Sequence, residues 1–514
     1  MKHFSVWAPK ASNIELVIDG VAHPMRRGNV WTSDITPVPG MRYGFRVDGE
    51  LLPDPRSQSQ PDGVHGLSEV CDPEFAWQHP WRGQQRSRIY ELHVGTFRGD
   101  FQGVIEKLPY LQSIGVGAIE LMPVQPFAGD RNWGYDGVFW HAVHAGYGGP
   151  RGLKQLIDAA HGHGIAVYLD VVYNHFGPEG NYMNRFGPYT VPNPTGWGDA
   201  INMADPHVRG YILDAIRQWF IEYRVDGLRL DATHAYTDLS LLDDIAELAA
   251  AVAAETGIPR TLIAEDLRDD PEITTSRGID LQWNDTIHHC LHTLVTGEKH
   301  AYYKGYGTVQ QLVDAINHRY HSVVYTTTHD QVGNRPRGDR PSQNLTVAQQ
   351  LLKAAIIAAI PSPTMLFMGE EYGATTPFPF FCSHSDPALQ AGTIAGRAEQ
   401  FQDMGLTQPP LDPTDPATFE AARLDWQINP EVFAGYQRIF ELSDQVQEPV
   451  KAIGGQRWIA LLGAHPLVAN LSDRPVTLPF TGELVYSFGS PEFTETHMVL
   501  GPWEFAFCKY LTCD

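Results

Sequence analysis

Arg229 and Asp231 stand two residues apart at the end of an apolar run, Val225-Asp-Gly-Leu-Arg-Leu-Asp-Ala232. Alternate residues of a strand share a face, so the two charged side chains point the same way. An arginine beside a carboxylate favours the ionised acid, and closing a buried strand with such a pair is costly unless a site uses it. An Arg–Asp pair can also simply end a strand. Two further runs finish in acid, Thr261-Leu-Ile-Ala-Glu265-Asp266 and Val323-Val-Tyr-Thr-Thr-Thr-His329-Asp330. Three carboxylate-bearing strand ends point to one shared site.

The elements that must hold these acids begin at Arg88, where strand-like and helix-like segments alternate. Ile89–Val94, Ala118–Met122, Ile165–Val172, Leu228–Asp231, Leu262–Glu265, Ile279–Trp283, Val323–Thr326 and Met365–Met368 are eight candidate strands. Between the third and fourth, Ile212, Ala215, Ile216, Trp219, Phe220 and Tyr223 recur at helical spacing. Eight alternating units over about 360 residues predict an α/β fold, a (β/α)8 TIM barrel with insertions. In that fold chemistry sits at the C-terminal ends of the strands, and the acids lie at the ends of the fourth, fifth and seventh. Residues 1–83 alternate apolar and polar positions in short runs, such as Ile14–Ile18 and Tyr43–Val47, and predict an N-terminal β-sandwich. Proline and glutamine thicken between Pro53 and Gln85, as in a linker. Period-two runs return in 447–514 (Trp458–Leu462, Leu467–Leu471, Phe505–Phe507), which predicts a small closing β-domain after a barrel spanning 84–446.

Composition narrows the partners. A chain of 514 residues, 43% hydrophobic and 19% charged, has core enough for two or three domains. Its net charge of −23 argues against nucleic acid or an anionic membrane surface, and is compatible with a neutral substrate. Met1–Pro9 lacks a signal-peptide core, and no apolar run approaches the ~20 residues of a membrane span, so a cytoplasmic protein is expected. Five cysteines (Cys71, Cys290, Cys382, Cys508, Cys513) are odd in number and lack CxxC spacing, which signals neither a disulfide framework nor a zinc site.

Asp170-Val-Val-Tyr-Asn-His175, Gly227-Leu-Arg-Leu-Asp231, Glu265 after the fifth strand and Thr328-His-Asp330 together resemble, in order, the four signature regions of the α-amylase family of glycoside hydrolases. Phe4–Pro9 with Ile14–Val17 is similar to the opening of the β-sandwich module that precedes the barrel in starch- and glycogen-active enzymes. Within the family, Asn174–Tyr182, Asp231–Ala235, Ala264–Asp266, Gln331–Arg335 and Thr376–Phe381 resemble the branch that cuts the α-1,4 bond next to the terminal trehalose unit of maltooligosyltrehalose. The resemblance implies a retaining mechanism with Asp231 as nucleophile, Glu265 as general acid and then base, and Asp330 as the carboxylate that holds sugar hydroxyls. An acetal resists neutral water, so its leaving oxygen must be protonated while the oxocarbenium-like carbon is captured. Glu265 should therefore keep its proton near neutrality beside Asp231 and Asp330, while Arg229 favours the anion of Asp231.

The same resemblance assigns sugar contacts at the cleavage site to His175 and His329, and to Asp170 a supporting place beside the arginine. Trp133-Gly-Tyr-Asp136 supplies a stacking ring at Tyr135, with Trp133 and Asp136 next to it; aromatic loop residues are also often plain anchors. His234, Glu371 and the loop Thr376–Phe381 are candidates for the leaving side. Asn174 aligns with a calcium ligand of many amylases, but the insertion from His175 to Asp205 is short and the six to eight oxygens that calcium needs are not evident, so no metal or other cofactor is expected. The substrate is expected to be an α-glucan oligosaccharide. A branching transferase, a hydrolase of other α-glucans and a catalytically silent glucan-binding protein remain competing readings; the presence of all three acids argues against the last.

Overall fold

The computed structural model describes residues 3–83, 88–195, 197–268, 270–446 and 449–512. Gln84 and Gln85 at the end of the expected linker, both expected domain divisions on their C-terminal side, and Cys513 lie outside the described residues.

Eight parallel strands close into one barrel in chain order: β1 (Arg88–Leu92), β2 (Ala118–Leu121), β3 (Ala166–Val171), β4 (Gly227–Leu230), β5 (Thr261–Ala264), β6 (Leu281–Trp283), β7 (Ser322–Tyr325) and β8 (Thr364–Phe367), with β8 pairing β1. Nearly every strand residue is buried, as expected where helices cover the outside of a parallel sheet and side chains fill its inside. All eight expected strands are present. The helix read between the third and fourth runs Pro206–Ile221; Asp205 caps it by accepting from the N–H groups of His207 and Val208, and Pro206 occupies its first turn. Its buried face is Ile212, Ala215, Ile216, Trp219 and Phe220, the stripe the spacing marked.

The N-terminal segment forms two antiparallel sheets. One pairs Ser5–Val6 with Trp31–Thr32; the other joins Val21–Pro24, Ile14–Ile18, Arg42–Val47 and Glu50–Leu52, with Ser68–Glu69 also on Arg42–Val47. Two of its hairpins turn on Asp19-Gly20 and Asp48-Gly49, all four at positive φ. That is the two-residue turn whose twist matches the flanking strands. The C-terminal segment forms a five-stranded antiparallel sheet and a three-stranded one around Ala460, Val468, Leu478, Met498, Leu500 and Ala506. One apolar core runs from Phe4 through the barrel helices to Phe505 and Phe507. Cys71 is half-buried and Cys290, Cys382 and Cys508 are buried, all four as free thiols. Among the described residues no helix is long and apolar enough to cross a membrane.

Candidate active site

Strand register places the acids. β3 and β4 pair with Asp170 opposite Arg229, and β4 and β5 with Leu230 opposite Ala264. The next residues along the latter two strands, Asp231 and Glu265, therefore emerge side by side. Backbone bonds extend the ladder to them, Asp231 N–H to Val171 O at 3.1 Å and Glu265 N–H to Leu230 O at 3.0 Å. The buried Arg229 is the hub: its Nη1 donates to the two oxygens of Asp170 at 2.9 and 3.0 Å and to Asp231 Oδ1 at 2.6 Å, and its Nη2 lies 3.1 Å from Glu265 Oε2. The Trp283 ring faces the guanidinium at 4.2 Å. A planar fork of donors is what lets one cation fix three carboxylates at once.

Asp231 is held at both oxygens, because Oδ2 accepts from Asn174 Nδ2 at 2.6 Å while Oδ1 takes Arg229. Ala232 follows in the left-handed region (φ 44°, ψ 52°), a conformation that costs a non-glycine residue energy and that clusters at functional sites. Its effect is to aim the Ala232 N–H at Glu265 Oε2, 2.8 Å away. Burial raises the Glu265 carboxyl above the ordinary range, and Asp231 and Asp330 add to the rise against the opposing Arg229 and Ala232 N–H. A carboxyl that keeps its proton thus stands beside one held by a cation, the division of labour that acid-assisted bond cleavage requires.

Asp330 lies in the first turn of a short helix after β7, His329–Gly333, where the Thr328 hydroxyl accepts from its N–H. Asn334 Nδ2 donates to Asp330 Oδ1 at 3.2 Å, and His329 Nε2 lies 3.4 Å from the same oxygen. His329 is anchored from behind: its N–H and Nδ1 meet the two oxygens of Glu91 at 2.9 and 2.5 Å. Burial disfavours a charged ring there, yet Asp330 and Glu91 lift His329 to about 9. Its Nε2 lies 2.9 Å from the Tyr135 hydroxyl, which donates to Asp170 Oδ2 at 2.6 Å. Glu120, register partner of Glu91, is buried beside this network, and burial together with Glu91 and Asp170 pushes its carboxyl far up.

The three acids open into a cleft of about 740 Å³. Trp133, Tyr135, Asp136, His175, His234 and His329 line it, as read from the sequence. Tyr135 and His329 stack at 5.3 Å and 22°, which keeps the tyrosine ring parallel to a cationic plate. Trp133 is mostly spent on packing, stacked on Phe378 and donating from Nε1 to the Pro379 carbonyl at 3.1 Å.

Glu371 departs from expectation. It is fully buried away from the cleft, accepting from the hydroxyls of Tyr90 (3.1 Å) and Tyr110 (2.7 Å), and burial pushes its carboxyl up to about 7. Its sequence position just past β8 suggested the mouth, but a left-handed Gly369 starts a tight turn that folds the chain back. In the loop Thr376–Phe381 only Phe380 reaches the cleft, while Phe378 and Phe381 are core.

Several lining residues were not singled out by sequence. Trp197, Leu267 and Tyr302 present exposed apolar surface (51%, 65% and 41%). Arg397, on the helix Pro387–Asp403, closes the Asp330 side: its Nη1 donates to Asn334 Oδ1 at 3.0 Å, its Nη2 to the Gly333 carbonyl at 3.1 Å, and it lies over the Phe380 ring at 4.7 Å. Glu91 and Glu120 did carry a signal, an acid inside an otherwise apolar strand.

The Asn174 amide is engaged by Asp231 and by His175 Nδ1, and among the described residues no three His, Cys, Asp or Glu side chains are placed to hold a metal ion.

Comparison with known proteins agrees with this geometry. The model of the α-amylase catalytic domain matches residues 51–193. The malto-oligosyltrehalose trehalohydrolase of Mycobacterium tuberculosis (strain CDC 1551 / Oshkosh) is 39% identical over 99% of this chain and 99% of its own length, and that of Arthrobacter ramosus is 40% identical over 95% and 96%. A solved structure from Salmonella typhimurium superposes with a TM-score of 0.91 at 31% identity, covering 99% of this chain and 97% of that one. Full-length likeness of this degree, together with the strand-end carboxylates, settles the family: the chain belongs to the α-amylase family of glycoside hydrolases, among the malto-oligosyltrehalose trehalohydrolases.

Proposed function

We propose that this protein hydrolyses, with retention, the α-1,4 bond beside the terminal trehalose unit of maltooligosyltrehalose and so releases trehalose. The observation that carries the reading is the single buried guanidinium that holds Asp231 and Glu265 together at the floor of the cleft. Asp231 attacks the anomeric carbon while the Glu265 proton passes to the leaving oxygen; the glycosidic bond breaks and an ester to Asp231 forms. Water then gives its proton to the Glu265 carboxylate and its oxygen to the anomeric carbon, freeing Asp231. Asp330 and His329 hold hydroxyls of the ring being cleaved, with Tyr135 as its stacking face and His175 as a further contact. On the leaving side His234 and Leu267, which follow the nucleophile and the acid, meet the trehalose unit. A retaining pair sits closer together than an inverting pair, which must leave room for water, and two carboxylates on one guanidinium fit the former.

The test is to incubate purified protein with maltopentaosyltrehalose and, in parallel, with maltoheptaose, resolving products by chromatography and the first-formed anomer by NMR. Free trehalose and an α-configured maltooligosaccharide are expected, with the linear sugar cut far more slowly. Equal rates on both sugars would make this a general amylase-like hydrolase, and new α-1,6 branches without free sugar would make it a transferase.

A further inference from the structure

Past the ends of β7 and β8 lies a cavity of about 30 Å³ that shares no lining residue with the cleft. Thr326 and Thr327 follow β7, Arg340 precedes the turn Pro341–Asn344, Lys353 comes from the helix Val347–Ala358, Glu370 from the turn after β8 and Tyr436 from the helix Pro430–Ser443. A space of this size holds about one or two waters or a small monatomic ion, and no sugar. Two of its wall residues are deeply buried cations, Arg340 at 3% exposure and Lys353 at 4%. Arg340 donates from Nε to the Thr376 carbonyl at 2.6 Å, but its buried Nη2 has no hydrogen-bond partner. Lys353 Nζ has three hydrogens to place and one long bond, 3.4 Å to the Thr326 carbonyl.

Charge does not balance around this cavity. Glu370 is the carboxylate on its wall, and both oxygens are taken: Oε1 accepts from the hydroxyls of Thr326 and Tyr436, and Oε2 from the Thr327 hydroxyl at 2.9 Å and the Phe367 N–H at 3.4 Å. The other acids whose fields reach the two cations are engaged elsewhere, Glu371 by Tyr90 and Tyr110, and Glu298 by Arg335 and His292. Among the described residues neither cation has an ion-pair partner. The wall's other polar side chains are spent as well, since the Ser342 hydroxyl donates to the Ala374 carbonyl at 3.1 Å and the Gln350 amide to the carbonyls of Ser342 and Leu345. Burial lowers the Lys353 ammonium to about 8 and disfavours the Arg340 cation. Two buried cations against one saturated carboxylate leave an excess positive charge, and an unpaired buried charge is costly. Water can accept from both donors but brings no charge, whereas a compact anion removes the excess.

We propose that this cavity is a binding site for a monatomic anion of chloride size, held by Arg340 Nη2 and Lys353 Nζ. Thr326 and Thr327 lead directly into Thr328, which caps the short helix carrying Asp330. A bound anion therefore ties the helix of Lys353 and the segment of Arg340 to the chain just before that acid, and its effect is on stability.

The experiment uses the full chain at fixed ionic strength, with sodium chloride exchanged against sodium gluconate, whose anion is too large for the cavity; constant ionic strength removes general screening as a cause. The thermal midpoint should rise saturably with chloride, by on the order of 1–2 °C over a roughly hundredfold range, because a ligand bound only to the folded state stabilises it. Sodium bromide should act alike, and crystals grown in millimolar bromide should show an anomalous peak between Arg340 and Lys353. Lys353→Met keeps the length of the side chain without its charge and should abolish both effects. A midpoint indifferent to chloride, or a cavity without bromide, overturns the site. A chloride response that survives in Lys353→Met overturns it too, by placing the anion elsewhere, and a peak that needs molar bromide marks an adventitious ion only. Should Lys353→Met fail to fold, the bromide peak in the unaltered protein decides.

Discussion

At the scale of single residues, the site depends on two carboxyls held by one arginine, one of which, Glu265, burial raises above the ordinary range. Asp231→Asn keeps the shape of the side chain and removes the nucleophile, so activity should fall on the order of 10⁴-fold with the unfolding transition nearly unmoved. A folded variant retaining a tenth of the rate would refute that assignment. Glu265 must hold its proton for the first step, and its burial lifts the carboxyl above the ordinary range. The proton is therefore present at pH values where an exposed glutamate has already lost it, and activity is lost as pH rises through the raised value. The alkaline limb of kcat/KM should accordingly lie well above the roughly 4.3 of a free glutamate; a limb at that ordinary value would mean that another group is the acid. These acids were legible in the sequence because each closes an apolar strand. Glu371 was misread because its local sequence does not reveal that the chain turns back on Gly369 and buries it between two tyrosines.

Among the elements, the helix Pro387–Asp403 is the one that reaches from the surface into the chemistry. Arg397 accepts nothing and donates to Asn334 Oδ1, which obliges the amide nitrogen of Asn334 to face Asp330. Without Arg397 the amide is free to turn its oxygen toward the carboxylate. Asn334→Ala and Arg397→Leu should each lower kcat/KM, and their combination should cost less than the sum, with a coupling of about 0.5–3 kcal/mol in a double-mutant cycle. Strictly additive losses would show that the two act separately. The barrel strands were readable from sequence because strands buried on both faces are unbroken apolar runs. This helix was not, because only Phe401 of its seventeen residues is buried and no apolar stripe announces it. Arg397 on such a helix reads as an ordinary surface cation.

Over the whole molecule, we propose divisions near residues 83 and 446, yet the apolar core is continuous across both. The N-terminal sheets are also latched to the barrel: Arg56 pairs with Asp214 at 2.6 Å, Gln58 with Gln218 at 2.9 Å, and the Tyr211 hydroxyl donates to the Pro55 carbonyl at 2.9 Å. His65 reaches Glu179, whose neighbour Pro178 lines the cleft. Removing residues 1–83 should therefore lower the thermal midpoint of the remainder or leave it insoluble, rather than yield a stable barrel with weaker glucan affinity. A truncated protein that melts at the temperature of the full chain would restore the view of this segment as a separable module. The alternating patterns at both ends foretold β-structure, but no pattern within one segment reports which surface of another it covers.

The left-handed Ala232 has a consequence for the direction of proton delivery. Oε2 of Glu265 accepts the Ala232 N–H at 2.8 Å and lies 3.1 Å from Arg229 Nη2 in an ion pair. A neutral carboxyl so engaged carries its hydrogen on the other oxygen, since Oε2 is the carbonyl acceptor of the Ala232 N–H and faces the guanidinium cation. If Glu265 is the acid, as proposed, the strained residue after Asp231 selects Oε1 as the atom that surrenders the proton, so that a backbone dihedral on one strand end orients the carboxyl on its neighbour.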